Sequence, residues 1–276
     1  MSFKNVYGVD KLISQLLKNH RTSPADMNHA FRSVTLDIIT LYTLRTSLDT
    51  ASFPSFEHPA ITGIDEVIPS LWPFKHFTTL KEIATRLPNW LAIEELVDQA
   101  LRDSDNKPSS DMDDHDDDDL NVFHTITKNA RIEGKLRQSN RVTRDWLIAE
   151  GVNLRIAGSD TVGNTCTVGT RYLIGEDRVR IKLVRELENA WPDKGNPIPL
   201  ERLEKLPYLT AVIKESLRLS FGVVTPMTRV VPDSGAVISG HPVPPGTIVS
   251  IANSFVHTNP EIFPRSARFY LSDAGG

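Results

Sequence analysis

An acid and a hydroxyl side chain, Asp160 and Thr161, stand next to each other inside a stretch of predicted helix. Such side chains disturb helical hydrogen bonding and are commoner at helix ends, so their place within an apolar-flanked helix is informative. A buried acid beside a hydroxyl can relay protons to a reacting group. The alternative is that Asp160 is exposed and that the Thr161 hydroxyl bonds to its own helix backbone.

The same predicted helix has one face of small side chains. Leu154, Ala157, Gly158 and Thr161 recur at i, i+3, i+4 and i+7, which places them on one side of the helix. Glycines stand at positions 151, 158, 163 and 169, and each weakens a helix by about 1 kcal/mol relative to alanine. Close approach of a flat cofactor or of a neighbouring helix would compensate. The pattern alone favours a stretch that is partly loop, or whose small face packs on a neighbouring helix.

A charged pair, Glu215 and Arg218, lies one helical turn apart in a later helix, where the two side chains can form a salt bridge. Periodicity places this pair opposite the apolar stripe of the same helix, which predicts an exposed salt bridge worth less than about 1 kcal/mol. The residues of that stripe are Leu209, Val212, Ile213, Ser216 and Leu217.

The elements that must position these side chains are mostly helices, so the sequence predicts a mainly α fold with a small β region. The predicted helices cover residues 28–44, 63–68, 87–101, 122–130, 142–170 and 173–191, and a last helix begins at Pro207. From Phe221 onward β-branched residues and turn residues dominate. Pro245 and Gly246 suit the middle of a type II turn, which predicts a hairpin there.

Composition excludes several classes of protein. With 276 residues, 39% hydrophobic and 24% charged, the chain is globular, and we expect one domain over residues 1–276. A net charge of -4 argues against nucleic-acid binding. Residues 103–119 hold nine aspartates without the register of a calcium loop, which predicts an acidic disordered linker. No uninterrupted apolar run has the length of a membrane span, and residues 1–17 look like neither signal peptide nor anchor.

Five motifs, taken together and in order, resemble the cytochrome P450 family, in particular the fungal enzymes of secondary metabolism. They are A-G-S-D-T at 157–161, K-E-S-L-R at 214–218 after L-P-Y-L at 206–209, T-P-M-T-R at 225–229, I-S-G-H-P-V-P-P-G-T at 238–247 and F-V-H-T-N-P-E-I-F at 255–263. The resemblance implies a partial cytochrome P450 fold, truncated at both ends. Its parts would be a long distal helix, a proximal Glu-x-x-Arg helix and a small β-hairpin.

The resemblance also implies roles for individual residues. Ala157 would lie against the heme, Gly158 would make room for dioxygen, and Asp160 and Thr161 would deliver protons. Arg229 would reach a heme propionate. Glu215 and Arg218 would form a buried scaffold pair on the proximal side, where loss of one partner costs about 3 to 5 kcal/mol.

The sequence departs from the family pattern in its sulfur ligand. The one cysteine, Cys166, lies on the distal helix five positions after Thr161, and no cysteine follows it to serve as the axial ligand of iron. We expect Cys166 to be a buried, apolar-like side chain. The family's next motif contains an arginine that joins the Glu-Arg pair, and the segment Arg268-Phe269 matches that motif only in shortened form. Without a thiolate, the chain is expected to be inactive as it stands.

The function implied by the resemblance is oxidation of a lipophilic small molecule by a heme-thiolate monooxygenase. The cofactor would be heme and the electron donor NADPH-cytochrome P450 reductase, in the endoplasmic reticulum membrane or, because this sequence shows no anchor, in the cytosol. The alternative is a non-catalytic helical remnant that acts as a binding or interaction module. Missing parts of the fold should leave large apolar patches that either aggregate or recruit a partner, and a soluble, cooperatively melting monomer without heme would favour this alternative.

Overall fold

A computed structural model describes residues 4–44, 47–65, 122, 123, 125, 126, 143–196 and 198–271. The chain divides into two compact units, residues 1–164 and residues 165–276. The predicted helix at 87–101 and the acidic linker at 103–119 lie outside the described residues. Within the described residues, the mainly α character with a small β region is confirmed.

The first unit is built from helices. Helix α1 spans Lys4–Asn19, α2 spans Met27–Leu44, a 3-10 turn spans Thr50–Ser52, and a helical stretch α3 covers 59–65. Helix α4 spans Arg144–Gly175, so it begins in the first unit and ends in the second. Helix α2 agrees with the prediction for 28–44, and the Asp26 carboxylate accepts from the backbone N–H groups of Asn28 and His29 at its start.

The core of the first unit lies around α2. Three groups of buried side chains pack along this helix, and each draws on a different neighbouring segment of the unit. They are Leu12, Ala30, Val34, Ala51 and Phe56, then Leu44, Phe123 and Leu147, and finally Leu36, Ala60 and Ile61. Burial of these apolar surfaces holds α2 in place and fixes which of its side chains face α4.

The second unit follows α4 with three further helices, four short strands and a last helix. They are α5 at Asp177–Ala190, α6 at Leu200–Leu203, α7 at Pro207–Ser220, β1 at Met227–Val230, β2 at Ala236–Ile238, β3 at His241–Val243, β4 at Ile248–Ile251 and α8 at Asn253–His257. Strand β1 pairs with β4, and β2 pairs with β3, both antiparallel. The predicted helix start at Pro207 is confirmed.

The predicted hairpin at Pro245 and Gly246 is partly wrong. Gly246 has φ of 76°, and the Thr247 N–H donates to the Pro244 carbonyl at 3.3 Å, so the expected turn forms. It connects β3 to β4, however, and these strands belong to different sheets. The tight hairpin lies at Ser239 and Gly240, which both have positive φ, as the right-handed twist of paired strands favours.

The boundary between α4 and α5 differs from the prediction, and α3 begins at residue 59, four residues before the predicted start at 63. Residues 173–175 belong to α4, because its hydrogen bonding continues to Gly175, and α5 begins only at Asp177. Among the described residues, no helix combines the length and the apolar character needed to cross a bilayer.

Candidate functional site

Helix α2 packs closely against the part of α4 that carries the small residues. A Cβ at position 158 would lie 2.7 Å from Ile39 Cγ1, and one at position 163 would lie 2.5 Å from Arg32 Cγ. The Thr35 hydroxyl donates to the Ser159 carbonyl at 3.0 Å, which ties the two helices together between these contacts. Gly158 and Gly163 therefore offset their low helix propensity by allowing α2 to approach, and packing on a neighbouring helix is one of the alternatives that the pattern favoured.

The predicted face of small side chains is divided between two environments. Gly158 faces Ile39, whereas Ala157 and Thr161 are exposed one turn apart on α4. The Thr161 hydroxyl donates to the Ala157 carbonyl at 2.7 Å, the local bond that a mid-helix threonine commonly makes. The exposed pair leaves a short stretch of α4 with little side-chain bulk, and the role of Gly158 toward dioxygen stays a prediction.

Asp160 is largely buried and forms an ion pair across the helix contact. Its Oδ1 atom accepts from Arg32 Nε at 2.5 Å, and its side chain is 20% exposed. Burial raises the pKa of Asp160, while the neighbouring Arg32 guanidinium acts in the opposite direction. The alternative of an exposed Asp160 is therefore wrong, and the residue has the raised proton affinity that a proton donor needs.

The raised pKa of Asp160 predicts how stability depends on pH. The folded chain binds the Asp160 proton more tightly than the unfolded chain, where the pKa is close to 3.8. The contribution of Asp160 is therefore fully present below about pH 4 and is lost as the pH rises through its folded pKa. In urea denaturation at a series of pH values, the free energy of unfolding of Asp160→Asn should increase relative to that of the parent chain as the pH rises above 4. A difference between the two chains that does not change with pH would contradict a raised Asp160 pKa in the folded chain.

Glu215 and Arg218 form a two-pronged, buried pair on α7. Arg218 Nε and Nη2 donate to the two Glu215 carboxylate oxygens at 2.8 and 2.7 Å. The side chains are 12% and 6% exposed, respectively. The exposed salt bridge predicted from periodicity is wrong, and the burial implied by the family resemblance is correct.

The remaining hydrogen bonds of the pair go to the backbone. Arg218 donates to the carbonyls of His257, Ser266 and Arg268 at 2.7 to 2.8 Å, and Glu215 accepts from the Tyr270 N–H at 2.8 Å. The pair thus organises the segment after α8 through its main chain. Arg268 takes part through its carbonyl, which differs from the arginine side chain that the resemblance led us to expect.

Helix α7 turns a different face to the interior than its apolar pattern indicates. Val212 and Ser216 are buried, whereas Ile213 and Leu217 are about half exposed. A Cβ at Gly169 of α4 would lie 2.6 Å from the Ser216 hydroxyl, so a small side chain at position 216 permits the close contact. This rotation carries Glu215 and Arg218 inward.

The start of α7 is fixed by an acid from α5. The two carboxylate oxygens of Glu186 accept from the backbone N–H groups of Tyr208 and Leu209 at 2.9 and 2.8 Å. Negative charge at this position satisfies two backbone amides of the first helical turn and complements the positive end of the helix dipole.

Two other predicted residues have simpler surroundings. Arg229 lies on β1 with an exposed side chain, and its Nη1 atom donates to the Thr228 carbonyl at 2.8 Å. Cys166 is half-buried on α4, and burial raises the pKa of its thiol. Cys166 is therefore less buried than the sequence led us to expect.

Comparison with known proteins decides the family. The sequence model described as cytochrome P450 matches residues 7–272. The chain belongs to the cytochrome P450 family. Over 273 residues it is 29% identical to cytochrome P450 monooxygenase flvC of Aspergillus flavus, a match that covers 94% of this chain and 49% of the relative. It is 28% identical to cytochrome P450 monooxygenase aflU of Aspergillus parasiticus, with 95% and 52% covered.

Solved structures agree on the fold of this cytochrome P450 chain. A crystal structure of a cytochrome P450, CYP102L1, superposes with a TM-score of 0.73 at 19% identity, covering 97% of this chain and 56% of the other. The cytochrome P450DA heme domain gives a TM-score of 0.70 at 15% identity. The chain spans about half the length of the curated relatives it matches.

Sequence reasoning missed the partners of Asp160. Arg32 is 4% exposed on α2, and its Nη1 atom donates to Asp65 Oδ1 at 2.6 Å. An arginine within the predicted core helix 28–44 was the available signal, because a buried arginine requires acid partners. Asp65, at the described end of α3, gave no comparable signal.

Proposed function

We propose that the chain is part of a heme-thiolate monooxygenase that oxidises a lipophilic small molecule in secondary metabolism. Electrons would come from NADPH-cytochrome P450 reductase, at the endoplasmic reticulum membrane. Support comes from the family, whose members bind heme, and from the monooxygenase names of the fungal relatives. The observation that carries the proposal is that a buried acid, Asp160, lies on the same turn of α4 as the exposed small residues Ala157 and Thr161.

In each unit, taken separately, exposed residues have the chemistry that contact with a heme requires. Ala157 and Thr161 offer an exposed, low-bulk stretch of helix against which a flat ring can lie, and Arg229 offers an exposed guanidinium for a propionate. When bound, heme with a thiolate ligand supplies the activation of dioxygen, because the sulfur pushes electron density toward the O–O bond. The neutral, half-buried Cys166 does not fit that sulfur.

The protein side of the mechanism is proton supply and support. The Asp160 carboxyl would hold a proton near the exposed Thr161 hydroxyl, and Thr161 would pass it on to the oxygen side. Glu215 and Arg218 would act from a distance, by fixing the backbone of residues 257–270. Gly158 would contribute by leaving room for Ile39, so that α2 can pack closely against α4.

A spectrum of the reduced, carbon monoxide-treated chain tests the proposal. The 276-residue chain, expressed with heme supplied, is expected to lack the strongly red-shifted Soret band of a thiolate complex, because its only cysteine is Cys166. The matched control is Cys166→Ser, which should give an unchanged spectrum. A red-shifted band in the parent chain that disappears in Cys166→Ser would contradict the expectation that this chain is inactive as it stands, and would assign the thiolate to Cys166.

Heme binding without the thiolate band is a second readout of the same experiment. A Soret band that shifts on addition of the chain, and that weakens in Arg229→Ala, supports the propionate role of Arg229. A heme-free, cooperatively melting monomer would instead favour the binding-module alternative. Exposed apolar side chains in the second unit would then be its contact residues, among them Val230, Ile248 and Phe255, which are 67%, 69% and 71% exposed.

A further inference from the structure

The two buried arginine–acid pairs of this chain differ in geometry. Arg218 donates from Nε and Nη2 to the two carboxylate oxygens of Glu215, a bidentate geometry called here the side-on fork. Arg32 reaches Asp160 with Nε alone and turns Nη1 to Asp65 instead. The Arg32 guanidinium in the first unit is therefore shared between two carboxylates, whereas the Arg218 guanidinium in the second unit binds one carboxylate and three backbone carbonyls.

Because Arg32 is shared between two acids, its ion pair with Asp160 is incomplete. Asp160 Oδ2 and Arg32 Nη2 are both buried, and neither has a hydrogen-bond partner among the described residues. These are the two atoms that would form the second prong of a side-on fork. Buried polar atoms are normally satisfied, so two unsatisfied atoms on facing partners call for an explanation.

Asp65 is itself held in place from the other side. His29 Nε2 lies 3.2 Å from Asp65 Oδ2, and His29 Nδ1 lies 4.0 Å from Asp26 Oδ2. The Asp65 side chain is 43% exposed, compared with 20% for Asp160. A line of polar groups therefore runs from the start of α2 through Asp65 and Arg32 to the buried acid on α4.

The charges around Asp160 act in opposite directions on its pKa. Burial is the largest cause of the raised value, Arg32 and Arg155 lower it, and Asp65 raises it. Arg155 is itself buried, with its Nη2 atom donating to the Ala60 carbonyl at 2.5 Å, and burial lowers its pKa to about 10. Asp65 is the nearby group that offsets the two arginines.

We propose that Asp65 is a positioning residue for Asp160: by accepting from Arg32 Nη1, it keeps the guanidinium from closing a two-pronged pair and leaves Asp160 Oδ2 available for proton transfer. This rests on the proposed function, in which Asp160 is the proton donor. Without Asp65, the guanidinium turns fully to Asp160 and holds it as a carboxylate, as Arg218 holds Glu215.

The test follows the Asp160 carboxyl directly in the 276-residue chain. The side-chain carboxyl carbon is labelled with 13C in aspartate, and its resonance is assigned by its loss in Asp160→Asn. In Asp65→Ala the titration midpoint of Asp160 should fall by about one pH unit, because a repelling charge is removed and the arginine closes on the acid. Asp65→Glu, which restores the charge, should bring the midpoint back.

The matched control is Asp10→Ala, which removes one exposed acid from α1 in the same unit and should leave the midpoint unchanged. If Asp65→Ala does not fold, Asp65→Asn preserves the side-chain shape and should shift the midpoint in the same direction by less. An Asp160 midpoint that stays constant or rises in the folded variant overturns the proposal. Because the titration involves no heme, its outcome is separate from the carbon monoxide spectrum that tests the proposed function.

Discussion

Arg218→Ala is expected to lower the free energy of unfolding by about 3 to 5 kcal/mol. The substitution removes two bonds to Glu215 and three to backbone carbonyls, and it leaves a buried carboxylate with the Tyr270 N–H as its remaining donor in the described network. It also removes the cation that lies 5.0 Å from the centre of the Phe263 ring. Urea denaturation followed by circular dichroism measures the loss.

The control is Arg180, whose acid also lies three positions earlier in the sequence but whose side chain is exposed to solvent. Arg180 pairs with Asp177 at 2.5 Å, and these side chains are 47% and 75% exposed. Arg180→Ala should cost less than about 1 kcal/mol, since exposed ion pairs contribute little. Equal losses in the two variants would show that the Arg218 network does not stabilise the fold beyond a surface pair.

The contrast between these two arginines shows what periodicity alone does and does not establish. The apolar stripe of α7 predicted the helix and its start, because Pro207 and the spacing of Val212 and Ser216 are local signals. It did not predict which side of the helix is buried. Ile213 and Leu217 are half exposed, while the charged pair is inside, because backbone carbonyls from a distant segment satisfy Arg218.

Family motifs succeeded at this point because they record tertiary partners. The K-E-S-L-R motif at 214–218 implied a buried pair against the evidence of hydropathy, and the structure confirms the burial. The details nevertheless differ, since Arg268 contributes a carbonyl and not a side chain. Strand pairing was similarly hard to predict, because the turn at Gly246 gives no information about which of four short strands are partners.

Neither periodicity nor the family motifs predicted which residues surround Asp160. Arg32 is 128 positions away in sequence, and its pairing depends on how α2 packs on α4. The glycines of α4 pointed to a close neighbour without identifying it. Gly163 and Asp160 both contribute to the contact between α4 and α2. Gly163 leaves room for the Arg32 backbone, and Asp160 binds the Arg32 side chain.

Gly163→Ala should therefore be strongly destabilising, by about 2 to 3 kcal/mol in the free energy of unfolding. The added Cβ would lie 2.5 Å from Arg32 Cγ and 3.0 Å from both Arg32 Cα and Arg32 N. Backbone atoms of α2 do not move aside as a flexible side chain does, so the two helices must separate. That cost exceeds the gain of about 1 kcal/mol in helix propensity that alanine brings.

Gly175→Ala provides the comparison on the same helix. A Cβ at position 175 meets nothing within 4 Å, so this substitution should leave stability unchanged or slightly higher. Denaturation midpoints of the two variants separate steric exclusion from helix propensity, because both make the same chemical change in α4. If Gly163→Ala is as stable as Gly175→Ala, then α2 does not depend on close approach at position 163. A large loss confined to Gly163→Ala instead shows that the glycine is needed to bring Arg32 to Asp160.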